Sequence, residues 1–128
     1  MKLQPRLIQS TVLLSFGERV ESGKDALQIE MGRRQIDAEI WEKVGLCIHT
    51  YYDEVDMKRL WRITHVESGR SILRHMRNRE QAIEYLMRIR KLNIDWERPE
   101  EWFISWSGRA AMKRTLDELQ KEISGERR

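Results

Sequence analysis

Residues 60–91 constrain this chain more than any other stretch, because they read as a β-hairpin that passes without a linker into an amphipathic helix. The hinge of the hairpin is Glu67-Ser68-Gly69-Arg70, with Gly69 available for positive φ. With Ser68 and Gly69 as a two-residue loop, Val66 pairs with Ser71. That register puts Trp61, Ile63, Ile72 and Met76 on one face and Arg62, Thr64, Leu73 and His75 on the other. It also leaves Arg74 on the apolar face beside Ile63, a flaw that a shift of one residue would exchange for others. Asn78 is a good N-cap for the helix that follows. Ala82, Ile83, Leu86, Met87 and Ile89 form its apolar stripe, and Glu84 and Arg88 stand at the i,i+4 spacing of an ion pair.

The flanking segments add strands before this unit and a helix after it. Residues 7–16 are apolar and β-branched up to Gly17, and Leu27, Ile29 and Met31 alternate with Gln28 and Glu30. These two runs predict an N-terminal antiparallel hairpin. Ile36, Ile40 and Val44 recur every fourth residue before Gly45, which predicts a short helix over 34–44. Ile36, Ala38 and Ile40 also alternate, so a strand is the competing reading. Residues 46–52 read as a strand, and Asp53-Glu54-Val55-Asp56 as a turn. A Trp-rich connector with Pro99 leads to a last helix over 108–123, capped by Ser107 and stopped at Ser124-Gly125. Met112, Leu116, Leu119 and Ile123 are its three-four apolar seam.

The expected fold is therefore α+β. It is one domain with an antiparallel sheet of about five strands, two N-terminal and three central, packed by two or three helices. Its parts are a hairpin over 1–32, an α-β-β-β-α core over 33–92 and a connector and helix over 93–128. A chain of 128 residues, 40% hydrophobic and 35% charged, can bury such a core. The lone Cys47 cannot form an internal disulfide, which fits a reducing compartment. No run reaches the ~20 apolar residues of a membrane span, and Gln9, Ser10 and Thr11 break residues 7–16, with no small-residue cleavage site after them, so no signal peptide is expected. The expected location is cytoplasmic, with no membrane partner. The order helix, strand, strand, strand, helix over 34–92 is similar to the double-stranded RNA-binding domain. Its latter part resembles the three-strands-plus-helix architecture of plant DNA-binding and integrase arm-binding domains. The resemblance is one of element order alone and assigns no residue a role.

Charge points to a polyanionic partner. The formal charge is +3, but residues 18–56 hold 5 basic and 10 acidic groups, whereas residues 57–92 hold 10 basic and 3 acidic groups. Eight of those ten bases are arginine, which matches phosphate and guanine edges with a bidentate fork. A two-stranded ribbon also fits the DNA major groove. The expected nucleic-acid contacts, DNA or RNA, are Lys58, Arg59, Arg62, Arg70, Arg74, Arg77 and Arg79. The opposing possibility is that basic and acidic segments neutralise each other in the fold.

Catalytic and cofactor chemistry finds no pattern. Five residues separate Gly17 from Gly23, and Asp25 follows Lys24 where a phosphate-binding loop needs Ser or Thr. His49, His65 and His75 have no short-spaced partner and no second cysteine, so no metal site is expected. Neither a nucleophile elbow nor a dinucleotide fingerprint is present. The alternative function is a protein-interaction module, an adaptor, inhibitor or homodimer. It would use Trp96, Trp102 and Trp106 of the connector with Met112, Leu116, Leu119 and Ile123 of the last helix. The plainer role of the tryptophans is to dock that helix onto the core.

Overall fold

The computed structural model describes residues 6–22, 26–92, 96 and 106–126. Two long strands come first, β1 (Leu7–Ser22) and β2 (Ala26–Trp41). Three shorter ones follow, β3 (Leu46–Asp53), β4 (Lys58–His65) and β5 (Ser71–Met76). Helices α1 (Arg79–Arg90) and α2 (Trp106–Glu126) complete the described elements. The strands form one antiparallel sheet in the order β1-β2-β3-β4-β5, so each lies beside its neighbour in sequence. The α+β class read from the sequence holds.

Residues 34–41 are the main departure from expectation. They continue β2 and are not a helix. Ile36 and Ile40 share a face in either conformation, so their spacing could not decide. The pairing across the chain decides it: β1 and β2 match from Leu7↔Trp41 to Ser22↔Ala26. Among the described residues the element order is then five strands and two helices, and the helix-first likeness to RNA-binding domains lapses. β2 meets β3 at only three pairs, from Glu39↔Ile48 to Trp41↔Leu46. Beyond Ala38 the β1–β2 hairpin therefore runs on as a two-stranded arm.

The core lies between the sheet and the two helices. Leu46, Ile48, Ile63, Leu73 and Met76 of the sheet meet Ala82, Tyr85, Leu86 and Ile89 of α1, with Trp96, Leu119 and Ile123. Tyr85 takes part where the sequence stripe named Met87. Helix α1 starts at Asn78 as expected, whose Oδ1 accepts from the Gln81 backbone N–H at 2.8 Å. Gln81 reaches back in turn, its Oε1 accepting from the Arg77 N–H at 2.8 Å. This is a capping box shifted by one residue. Helix α2 begins earlier than expected and runs through Gly125 to Glu126.

The β4–β5 hairpin has a different register from the one read in sequence. His65 closes it, its N–H donating to the Arg70 carbonyl at 2.9 Å and its carbonyl accepting from Gly69 at 2.8 Å. Gly69 does take positive φ, at 71°. The pairs are Thr64↔Ser71, Ile63↔Leu73 and Trp61↔Met76, with a register shift between each. Only Trp61↔Met76 belongs to the expected register. Two bulges on β5 absorb the difference, at Ile72 and at Arg74-His75, where His75 has φ 72°. They resolve the expected flaw: Leu73 and Met76 both enter the core and Arg74 is exposed.

Helix α2 is fastened to this edge. The Gln120 side chain accepts from the Arg74 N–H at 2.9 Å and donates to the Arg74 carbonyl at 2.8 Å. Ile123 is wholly buried beneath it. Ile123→Ala should cost about 2–5 kcal/mol in urea unfolding. The exposed Lys121→Ala should stay within about 0.5 kcal/mol. Equal effects would mean that α2 does not dock as described.

Candidate functional site

One face of the sheet carries the helices; the far face carries the charge. Strand alternation and pairing put His49, Tyr51 and Asp53 of β3 on the far face beside Leu60, Arg62 and Thr64 of β4. Toward β2 this face is closed by Val12, Ala38 and Cys47, with Ile36, Ile40 and Val66 against them. Toward the β3–β4 turn it is only partly open, since Leu60 and Asp53 remain buried there. Lys58 and Arg74 are exposed there, and Arg62, Tyr51 and His75 are half-buried.

Arg62, Tyr51, His75 and Asp53 form a chain of contacts in this part. The Arg62 guanidinium stacks on the Tyr51 ring at 3.9 Å from its centroid. The Tyr51 hydroxyl accepts from the His75 N–H at 3.0 Å, and the two rings lie 6.4 Å apart. His75 Nε2 lies 3.1 Å from Asp53 Oδ2. The other Asp53 oxygen accepts from the Val55 and Asp56 N–H groups at 2.9 Å each, which folds the β3–β4 turn. The Arg62 Nε is buried and has no hydrogen-bond partner among the described residues.

The titrating groups record this crowding. Burial lowers the His75 imidazole; Asp53 pulls it back up, and Arg74 and Arg62 push it down. Burial also lowers the Arg62 guanidinium, and burial raises the Tyr51 phenol. His49 is buried, and burial lowers its imidazole and favours the neutral form. Its Nδ1–H donates to the Thr50 carbonyl at 3.1 Å, and in the neutral ring Nε2 accepts from the Thr64 hydroxyl at 2.7 Å. The Cys47 thiol is pushed up to about 12 by burial, against a weak bond to the Thr64 carbonyl. It is an inert core residue. His65 likewise serves structure: its Nε2–H donates to the Trp96 carbonyl at 2.6 Å, while Nδ1 lies 2.8 Å from the Ser68 hydroxyl.

The expected nucleic-acid residues do not form one surface. Lys58, Arg62 and Arg74 gather at the open end of the far face. Arg59 lies on the helix side, its Nη1 3.4 Å from Thr50 Oγ1, at a cleft of about 700 Å³ where β2 parts from β3. Arg79 is held by both oxygens of Glu39, the shortest contact being 2.6 Å. Arg70 and Arg77 are exposed in the loops before and after β5. Arg88 pairs with Glu122 of α2, at 2.6 and 2.9 Å, and not with Glu84. The β4–β5 ribbon also cannot enter a major groove as a free ribbon. β3 takes one of its edges, α2 clamps the other, and α1 packs on its helix face.

The expected partner-binding residues are largely spent inside the chain. Trp96, Leu119 and Ile123 are buried in the core and Leu116 packs against it. Trp106 and Met112 belong to the first two turns of α2. Trp102 of the expected connector lies outside the described residues. Tyr51, Asp53 and His75 were missed as site residues. Their signal was weak, since only the bulge brings His75 beside Arg62. Among the described residues no cluster of His, Cys, Asp or Glu could hold a metal ion, and no helix is long and apolar enough to cross a membrane. No family model, no curated protein and no solved structure matches the chain.

His49 sets a pH dependence. Burial holds its imidazole below the ordinary 6.5 in the folded chain, so the folded chain binds fewer protons than the unfolded one. Stability is then complete above about pH 6.5 and is lost as pH falls through the folded value, at up to about 1.4 kcal/mol per pH unit. His75, lowered in the same direction, adds to the loss. Urea unfolding at about pH 8 and about pH 5 checks this. His49→Gln should flatten the profile, and an unchanged wild-type midpoint would refute the buried neutral assignment.

Proposed function

We propose that this chain is a small nucleic-acid-binding protein that grips phosphates with the open end of the sheet face turned away from its helices. The observation that carries the reading is the meeting of Arg62 with Tyr51 on a face that neither described helix covers. A guanidinium spread on an aromatic ring is pre-positioned for a phosphate oxygen, and a base can stack on its outer plane. Arg74 and Lys58 extend the positive field on either side. Few contacts are available, so binding is expected to be modest and sequence-tolerant. A single strand suits this surface better than a duplex, because its phosphates and bases can adapt to a small platform. The protein-interaction alternative keeps one support, the exposed apolar side chains of Tyr52, Val55 and Met57 around the β3–β4 turn.

A salt titration tests the proposal. Anisotropy of a labelled single-stranded DNA or RNA should show an affinity that falls linearly in log–log form between about 50 and 200 mM salt. Arg74→Gln and Lys58→Gln should each lower the slope by about 0.7. Arg88→Gln, which breaks the pair with Glu122 and the contact over the Tyr85 ring away from the far face, should leave the slope unchanged. Absence of binding at the lowest salt, or equal slopes for all three variants, would overturn the reading.

A further inference from the structure

The bulge on β5 has a feature that the core does not require. Between Ile63↔Leu73 and Trp61↔Met76, β4 presents one residue, Arg62, and β5 presents two, Arg74 and His75. The extra residue lets Leu73 and Met76 both reach the core. His75 performs this with φ 72°, in the left-handed region where glycine carries no penalty. A histidine there is strained, and strain of this kind gathers at sites that use the side chain. The bulge also brings three cationic or potentially cationic groups together, with both guanidiniums acting on the His75 imidazole and Arg74 acting on Arg62. Against them stands one carboxylate, Asp53, already accepting from two backbone amides. The charged groups facing His75 are therefore Asp53 of β3, Arg62 of β4 and its neighbour Arg74 of β5, with the Tyr51 phenol beside them.

We infer that this bulge is a phosphate-binding site in which Arg62, Arg74 and His75 together hold one phosphate group of a nucleic-acid chain. The source of the phosphate rests on the reading above; the site does not. With Nε2–H on Asp53, neutral His75 offers Nδ1 as an acceptor, which phosphate oxygens repel. Protonated, it offers Nδ1–H as a donor while Asp53 keeps Nε2–H in place. Binding at this site therefore takes up a proton, and the two arginines supply the charge-assisted donors on either side.

Histidine-ring NMR resolves the site directly. Inorganic phosphate, and separately a single-stranded oligonucleotide, should move the His75 ring signals and raise its titration midpoint, leaving those of buried His49 in place. His75→Gly should keep the fold with an equal or higher Tm, because φ 72° suits glycine. It should weaken oligonucleotide binding about tenfold at about pH 5.5 and little at about pH 8, where the wild-type ring is neutral. His75→Asn, which tolerates the same backbone, should behave alike and guards against a folding artefact. Full-strength oligonucleotide binding by both variants at the lower pH would overturn the site and leave the nucleic-acid reading standing. Phosphate moving the ring while no oligonucleotide binds would leave the site as one for free phosphate and overturn that reading. A ring indifferent to both ligands would overturn the site.

Discussion

The arrangement depends on how β5 places Leu73 and Met76 in the core. A strand turns its side chains to alternate faces, yet these two residues are three apart and both wholly buried. One residue must be taken out of the alternation, and the Arg74-His75 bulge does so. The cost is an edge strand with displaced backbone groups. Two side chains satisfy them: Tyr51 accepts from the His75 N–H, and Gln120 takes both polar groups of Arg74. The same contacts cover an edge that would otherwise invite pairing with another chain. Packing, edge protection and the positive cluster thus arise from one irregularity.

Long-range ion pairs then decide what the basic segment can do. Arg79 on Glu39 ties the start of α1 to β2, and Arg88 on Glu122 ties α1 to α2. Both arginines are exposed, so each pair contributes little to stability. Their larger effect is on charge. Glu39 comes from the acidic segment and Arg79 from the basic one, so the two segments partly neutralise each other where they meet. What survives on the far face is a compact group rather than a stripe.

Local signals in the sequence reach some of this and not the rest. Asn78 as N-cap, the pattern of 46–52 and the turn at Asp53 are each written within a few residues and are all present. Residues 34–41 are not, because Ile36 and Ile40 sit one helical turn apart and also an even number of strand positions apart. Their pairing with residues 8 and 12 of β1 decides between the two. The β4–β5 register failed for a similar reason. It was read as a regular ladder from the hinge, whereas core demand on Leu73 and Met76 pulled the ladder through two bulges. The site inherits that failure: Arg62 and Arg74 were legible as charge, but their meeting with Tyr51, Asp53 and His75 was not.

The size of the surviving cluster limits the mode of binding. A groove-reading ribbon needs two free edges, and among the described residues only the β1–β2 arm beyond Ala38 has them. That arm is not basic: Glu18, Glu21, Glu30 and Asp37 offset Arg19, Arg33 and Arg34. The basic residues sit instead where the ribbon is enclosed on both edges. A net positive segment placed on an enclosed sheet cannot follow a phosphate backbone over a helical turn. It can meet one or two phosphates end-on, at the bulge, where a flexible strand bends to it more readily than a duplex does.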